Sequence, residues 1–303
     1  MTGTTPAQGA GDGSRDGAGL TAFVLAGGGS HGALQVGMLR ALSLAGIVPD
    51  LIVGTSVGAI NGAYFASDPT VPGVDRLANI WRALRRSDIY PAPPSTWVPA
   101  LLGRRSHVCD DIGLRRVVAG AFGALTFEEL PVRCAVVAAD YRTSEEVILR
   151  TGPIAIAVLA SAAVPVIFPP VDVDGRLLVD GALSRNTPIR TAVALGATRV
   201  IVLPTGFACA LPMNARGAIA TALHHVSVLF ARQLATEAAH VRATEAGVAV
   251  RVVPPMCPMP VSSYDFSAVG QFIGDAERST EAWIADGGLD RDAIPETLGP
   301  HSH

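Results

Sequence analysis

The chain has 303 residues and a formal net charge of −3, and 49% of its residues are hydrophobic while 16% are charged. This charge balance gives no basic footprint for nucleic acid, so we expect no nucleic-acid partner. The length allows a large buried core, in one large α/β domain or in two small ones.

The first hundred residues contain a repeated alternation of strand and helix patterns. Residues 21–27 form a short apolar run, and apolar side chains recur at helical spacing over 33–45. A second apolar run, 50–54, precedes a second helical pattern at 57–66. This βαβα order predicts a parallel sheet.

The remaining elements follow from the same patterns. We predict a helix over 73–86, a loop or lid over 88–108, strands at 132–140 and 145–150, a helix over 153–163, a hairpin turning at Asp174–Gly175, a strand at 198–204, a helix over 215–246 and a strand at 248–254.

One segment has the composition of a membrane span. Between residues 152 and 171 Ser161 is the one polar side chain, but Pro165, Pro169 and Pro170 would break a helix in its second half. We therefore predict a buried helix followed by an apolar loop, and no transmembrane helix.

A glycine-rich loop, LAGGGSHGALQV, follows the first strand. Gly27, Gly29 and Gly32 have the G-x-G-x-x-G spacing that holds a dinucleotide pyrophosphate at a helix N-terminus. The same bare N–H groups can hold an oxyanion during acyl transfer. The loop alone leaves both functions open.

The second strand ends in GTSVG, a G-x-S-x-G motif at a strand-to-helix turn. In this context the motif is typical of a nucleophile elbow, with Ser56 exposed at the start of a helix. Gly54 and Gly58 permit the tight turn and the close packing around it.

The end of the second strand favours acyl transfer over nucleotide binding. A dinucleotide site needs an acidic residue there to bind the ribose, whereas Asp50 precedes the strand and lies at its other end. Adjacent parallel strands would bring the N–H groups of Gly27 and Gly29 beside Ser56. A nucleotide-binding module stays as the non-enzymatic alternative.

A nucleophilic serine needs a base. None of the seven histidines follows a late strand, as the histidine of a hydrolase triad would. Asp180 in LLVDGA, at the end of a predicted strand, is the better candidate, although a strand-end Asp-Gly is often only a turn.

Three segments together resemble the motifs of patatin-like phospholipases, in the order of that family. They are Gly27 to Gly32 (GGGSHG), Gly54 to Gly58 (GTSVG) and Asp180 to Ala182 (DGA). Residues 160–171 and 186–189 are also similar to that family. The resemblance implies a three-layer α/β/α sandwich around a mainly parallel sheet.

The resemblance also implies the roles of individual residues. Ser56 would be the nucleophile and Asp180 the base of a Ser–Asp dyad, with no catalytic histidine, metal ion or other cofactor. The implied oxyanion-hole amides and the supporting motif glycines are Gly27, Gly28 and Gly29, and Gly32, Gly54, Gly58 and Gly181. His31 stands where the family usually has Arg or Lys.

We therefore expect a serine lipid acyl hydrolase that acts on lipids or other acyl esters and makes transient contact with membrane surfaces. A thioesterase or an acyltransferase with the same dyad is the enzymatic alternative. The sequence leaves the oligomeric state open.

The predicted organisation is a disordered leader over 1–20 without the apolar core of a signal peptide, a patatin-like catalytic domain over 21–205, a helical and strand extension packed on it over 206–287, and a loose tail over 288–303. The cysteines lack disulfide or metal-ligand spacing and fit reduced thiols in a cytoplasmic protein: Cys109, Cys134, Cys209 and Cys257.

Overall fold

The computed structural model describes residues 19–90, 104, 106–206, 218–254, 256, 263–291 and 295, without the side chains of 218–220 and 222–224. Most of the predicted leader, residues 91–103 and 105 of the predicted lid, most of the predicted tail, Cys209 and Cys257 lie outside the described residues. Cys109 and Cys134 are buried free thiols.

Eight strands among the described residues form one sheet: β1 Thr21–Leu25, β2 Leu51–Thr55, β3 Arg133–Asp140, β4 Glu146–Leu149, β5 Val171–Val173, β6 Arg176–Asp180, β7 Arg199–Leu203 and β8 Ala249–Val252. Their order is β5-β6-β3-β2-β1-β7-β8, with β4 also paired to β3. The five neighbouring strands β3, β2, β1, β7 and β8 run parallel to one another. Strands β4 and β6 pair antiparallel with β3, and β5 pairs antiparallel with β6.

The described helices are α1 Gly32–Leu44, α2 Val57–Ser67, α3 Val71–Ala83, α4 Arg86–Ile89, α5 Ile112–Phe122, α6 Ile154–Ser161, α7 Ala182–Arg185, α8 Ile189–Ala194, α9 Ala218–Thr244 and α10 Val269–Ala285. Short 3₁₀ turns lie at Gly29–His31 and Phe127–Glu129. The predicted helix over 73–86 is divided into α3 and α4, while α5, α7, α8 and α10 are helices that the sequence patterns did not predict.

The two faces of the sheet are covered by different helices. Phe23 and Leu25 of β1 face a core built with α1, α2, α3, α6 and α10. Ala22 and Val24 face the opposite way, onto a second core with α8 and α9. Because alternate residues of the parallel strands are buried on both sides, the apolar runs in the sequence are nearly continuous. The three-layer α/β/α sandwich predicted from the sequence is confirmed.

The chain beyond residue 205 adds to the same sheet and layers. Strand β8 pairs in parallel with β7, and α10 packs along α1. Residues 288–291 were predicted to be loose, but Leu289 O accepts a hydrogen bond from Arg251 Nε at 3.0 Å and Leu289 packs against the core. The domain boundaries themselves stay a prediction.

The segment with membrane-span composition folds as α6 and a following irregular loop. In the part of the chain that the structure describes, no helix is long and apolar enough to cross a membrane.

Candidate active site

Ser56 occupies a strained turn between β2 and α2. Its backbone has φ 54° and ψ −124°, a conformation that non-glycine residues rarely adopt and that persists only when the surroundings impose it. A Cβ on Gly54 would lie 2.4 Å from Gly58 O, and one on Gly58 would lie 2.3 Å from Leu25 O. Both glycines of the motif are therefore required by close backbone packing around the serine.

A second serine holds this turn in place. Ser56 N donates to Ser161 Oγ at 2.8 Å, and Ser161 Oγ donates to Val137 O at 2.5 Å. Ser161 ends α6 and is fully buried. No local sequence pattern indicates this role, because the contact joins residues 105 positions apart.

The register of β3 brings Asp180 beside Ser56. Thr55, the last residue of β2, pairs with Val137, and Asp180, the last residue of β6, pairs with the next residue, Ala138. Ser56 Oγ donates to Asp180 Oδ2 at 2.6 Å. The structure thus brings together the predicted nucleophile and the predicted base.

The Asp180 carboxyl is almost sealed from solvent, with 3% of the residue exposed. Burial raises its pKa from 3.8 to about 6, while hydrogen bonds from Ser56 and the Ala182 N–H lower it. The Ala182 N–H donates to Oδ1 at 2.8 Å, so each carboxyl oxygen has one donor among the described residues. Such a group gains or loses its proton near neutral pH.

The glycine loop approaches Ser56 from β1. Gly28 precedes the 3₁₀ turn, and Ser30 N donates to Ser263 O at 2.8 Å. Gly29 has φ 58°, and a Cβ there would lie 2.4 Å from Ser263 O. Only glycine fits at this position, because both the conformation and the neighbour exclude a side chain.

The Gly27 amide, which the sequence predicts as an oxyanion-hole donor, makes a backbone hydrogen bond in the structure. Its N–H donates to Asn186 O at 3.1 Å, and its carbonyl accepts from Thr205 Oγ1 at 2.6 Å. Among the described residues no acceptor is bound to the N–H of Gly28 or Gly29. The loop therefore offers these two amides.

The remaining motif glycines also lie at close contacts. A Cβ on Gly32 would be 2.4 Å from Val57 Cγ2, where the start of α1 meets the start of α2, and one on Gly181 would be 2.2 Å from Val137 O. These two glycines position the loops that carry the site without contributing a functional group.

His31 packs against α10 and also lines the cavity that opens beside Ser56 and Asp180. Its ring makes an edge contact with Phe272 of α10, with centroids 5.9 Å apart. In the described part of the chain, the hydrogen bonds of the Asp180 carboxylate come from Ser56 and Ala182, and none comes from a histidine.

A cavity of about 380 Å³ opens beside Ser56 and Asp180. Apolar side chains line most of it, and one wall is an aromatic cluster of Trp81, Tyr90, Phe168, Tyr264 and Phe266. Burial raises the pKa of Tyr90 and of Tyr264, so both hydroxyls stay neutral at physiological pH. These aromatic residues come from distant segments of the chain, so no local sequence pattern predicts that they line the site.

Ion pairs and a hydrogen bond fix the position of α7, the short helix that follows Asp180. Arg185 of α7 pairs with Glu146 of β4 at 3.0 Å and with Glu237 of α9. Arg185 O also accepts from Thr55 Oγ1 at 2.8 Å. Helix α7 is thus fixed to β2 and β4 of the sheet and to α9.

Within the described ranges no three His, Cys, Asp or Glu side chains come together as metal ligands. Asp50, the acidic residue nearest β2, accepts from Thr21 N at 2.8 Å at the start of β1, the opposite end from the glycine loop.

Comparison with solved structures places the fold among known ones. Human GIVD cytosolic phospholipase A2 superposes with a TM-score of 0.52 at 10% sequence identity, covering 89% of this chain and 60% of that one. At this identity the likeness concerns the fold.

Sequence comparison identifies the family. An uncharacterized NTE family protein of Mycobacterium tuberculosis is 36% identical over 57% of this chain and 28% of its own length. Patatin-like phospholipase domain-containing protein 7 of Rattus norvegicus is 31% identical over 61% of this chain and 13% of its own length. The chain thus spans less than a third of these relatives. The model of the family described as patatin-like phospholipase matches residues 23–193, more than half of the chain, which therefore belongs to that family.

Proposed function

We propose that this protein is a serine lipid acyl hydrolase that cleaves acyl esters through a dyad of Ser56 and Asp180. The observation that carries the proposal is the 2.6 Å hydrogen bond from Ser56 Oγ to Asp180 Oδ2 beside an apolar cavity. Membership of the patatin-like phospholipase family supports the lipid substrate class.

The dyad accounts for both halves of an ester hydrolysis. As Ser56 Oγ attacks the acyl carbonyl carbon, its proton passes to Asp180 Oδ2. The protonated Asp180 then gives this proton to the leaving alkoxide as the ester bond breaks. Water repeats the sequence on the acyl-enzyme, releasing the carboxylic acid and restoring the Ser56 hydroxyl. A carboxyl with a pKa of about 6 suits both directions of proton transfer near neutral pH.

Charge that develops on the carbonyl oxygen is stabilised by the glycine loop. In this proposal the Gly28 and Gly29 N–H groups donate to the oxyanion. Ser56 also lies at the N-terminus of α2, an 11-residue helix whose positive end favours negative charge at the reacting centre.

The cavity suits an acyl chain, and its rim suits a lipid surface. Leu183 and Val226 line the cavity, and they remain 53% and 41% exposed, respectively. We include in the proposal a transient contact of this rim with the membrane or micelle that holds the substrate, with the protein located in the cytoplasm.

Covalent labelling tests the nucleophile. A fluorophosphonate should label the wild type at Ser56 and should fail to label Ser56→Ala, because Ser56 Oγ forms the bond to phosphorus. Ser227→Ala is the matched control, since Ser227 also lines the cavity and should leave labelling intact. The readout is peptide mass spectrometry. Labelling that persists in Ser56→Ala would assign the nucleophile to another residue.

Kinetics of three variants test the base. Asp180→Asn is nearly isosteric but cannot accept the proton, so kcat/KM on a short p-nitrophenyl ester should fall by about 10³-fold. His31→Arg, which restores the usual family residue, should keep most activity, and His31→Ala should lose far less than Asp180→Asn. Circular dichroism checks folding. A His31→Ala variant as inactive as Ser56→Ala, with Asp180→Asn active, would contradict the dyad.

Burial of Asp180 also makes the stability of the fold depend on pH. Since its folded-state pKa lies above the ordinary value of 3.8, its protonated form stabilises the fold fully below about pH 4, and this stabilisation is lost as the pH rises through about 6. The shift corresponds to about 3 kcal/mol at most. Asp180→Asn should therefore have a higher Tm than the wild type at pH 8, and the difference should shrink at pH 5. A lower Tm for Asp180→Asn at pH 8 would contradict the raised pKa.

A further inference from the structure

The cavity beside Ser56 extends along α2 on one side of the sheet. Its lining residues on this helix are Val57, Ile60 and Tyr64. Because they are three and four positions apart, their side chains lie on one face of the helix in successive turns. A helix rises by about 10 Å from the first of them to the last. This part of the cavity is a channel that begins beside Ser56 and follows α2 for about two turns.

Helices α3 and α5 form the other sides of the channel. Each presents one face to it, with apolar side chains at helical spacing. These side chains are Leu77, Ile80 and Trp81 of α3 and Leu114, Val117 and Ala121 of α5. The Trp81 Nε1 group donates to Asn61 Oδ1 at 2.9 Å, so its polar group is already paired. The six side chains therefore offer no free hydrogen-bonding group to a molecule in the channel.

The channel ends where α2 packs against α5. The Tyr64 ring makes an edge contact with the Phe122 ring, with centroids 6.3 Å apart and planes at 69°. Tyr64 is the last residue of α2 in the lining, and Ala121, which precedes Phe122, is the last of α5. Phe65, which follows Tyr64, is buried and stacks on Phe23 in the core. The aromatic pair of Tyr64 and Phe122 therefore lies at the far end of the channel.

Towards the opposite face of the sheet, where α9 packs, the cavity has a different chemical character. There Asn186, Thr205 and Ser227 line it together with apolar side chains of α9. An ester has an acyl chain without polar atoms and an alcohol part that carries oxygen. The acyl chain suits the apolar channel, and the alcohol part suits the side that has polar groups.

We propose that the acyl chain of the substrate lies in the channel and that Tyr64 sets the longest chain that fits. An extended acyl chain advances by about 1.2 Å per bond, as an extended polypeptide does. A channel of about 10 Å thus accommodates an acyl chain of about eight carbons. The inference rests on the proposed hydrolysis at Ser56, and it assigns medium-chain acyl esters as the substrate class.

A series of p-nitrophenyl esters tests the chain length in the wild type. The value of kcat/KM should rise from butyrate to octanoate, by up to about fourfold for each methylene group that enters the channel. Dodecanoate should be no better than octanoate, because the Tyr64 ring leaves no room for its last carbons. The esters are used below the concentrations at which they aggregate, so that each enters the site as a single molecule.

Two substitutions at the far end should shift the preference in opposite directions. Tyr64→Ala opens this end, so the ratio of kcat/KM for dodecanoate to that for octanoate should increase by about tenfold or more. Ala121→Leu fills it, so the ratio for octanoate to butyrate should fall by about tenfold. Each ratio compares two esters on one protein sample, so a loss of folded protein cancels. Tyr141→Ala is the matched control, since Tyr141 is exposed and does not line the cavity, and it should keep the wild-type ratios.

The outcomes separate this inference from the proposed function. A wild type that prefers dodecanoate to octanoate, or that does not prefer octanoate to butyrate, overturns the end of the channel at Tyr64 and leaves the dyad standing. A folded Tyr64→Ala or Ala121→Leu that keeps the wild-type ratios also overturns it, and if one of the two does not fold the other decides. A wild type that hydrolyses none of the esters and is not labelled at Ser56 overturns both.

Discussion

The hydrogen bond between Ser56 and Asp180 is the constraint to which the surrounding structure is fitted. A carboxyl so buried would be unfavourable as an isolated charge, and the serine beside it has a backbone conformation that must be imposed. The fold meets both requirements through contacts from outside the pair. The Ala182 N–H binds the second oxygen of Asp180, and Ser161 holds the Ser56 N–H.

This arrangement explains why so many of the motif residues are glycine. Gly54, Gly58 and Gly181 bring strands, helix and loop within distances that a Cβ would prevent. The loop around Gly29 has the same requirement and a positive φ as well. The glycines therefore define where backbone can approach backbone. In the proposed mechanism the serine, the carboxyl and the N–H groups carry out the chemistry.

The sequence predicted the parts of the site that depend on local pattern. Ser56 could be predicted because a buried strand precedes it and a helix follows it, and the apolar runs predicted the parallel strands. Asp180 was harder, since β6 joins the sheet antiparallel and only the pairing of Asp180 with Ala138 brings it beside Ser56. Its position at the end of a predicted strand made Asp180 a weak candidate for the base, and the family resemblance strengthened that prediction.

Other features depend on contacts between distant segments and could not be predicted. The occupied Gly27 N–H and the support from Ser161 both depend on contacts between residues more than 100 positions apart. By contrast, α10 had a usable signal, because Val269, Phe272, Ile273 and Ala276 recur at helical spacing and are buried.

The pH dependence of kcat/KM for the wild type tests the central claim most directly. With Asp180 as the base, activity on a neutral p-nitrophenyl ester should rise with pH through an apparent pKa of about 6, and the same acidic limb should be present in His31→Ala. An acidic limb that disappears in His31→Ala, or activity independent of pH between 5 and 8, would contradict a buried aspartate as the general base.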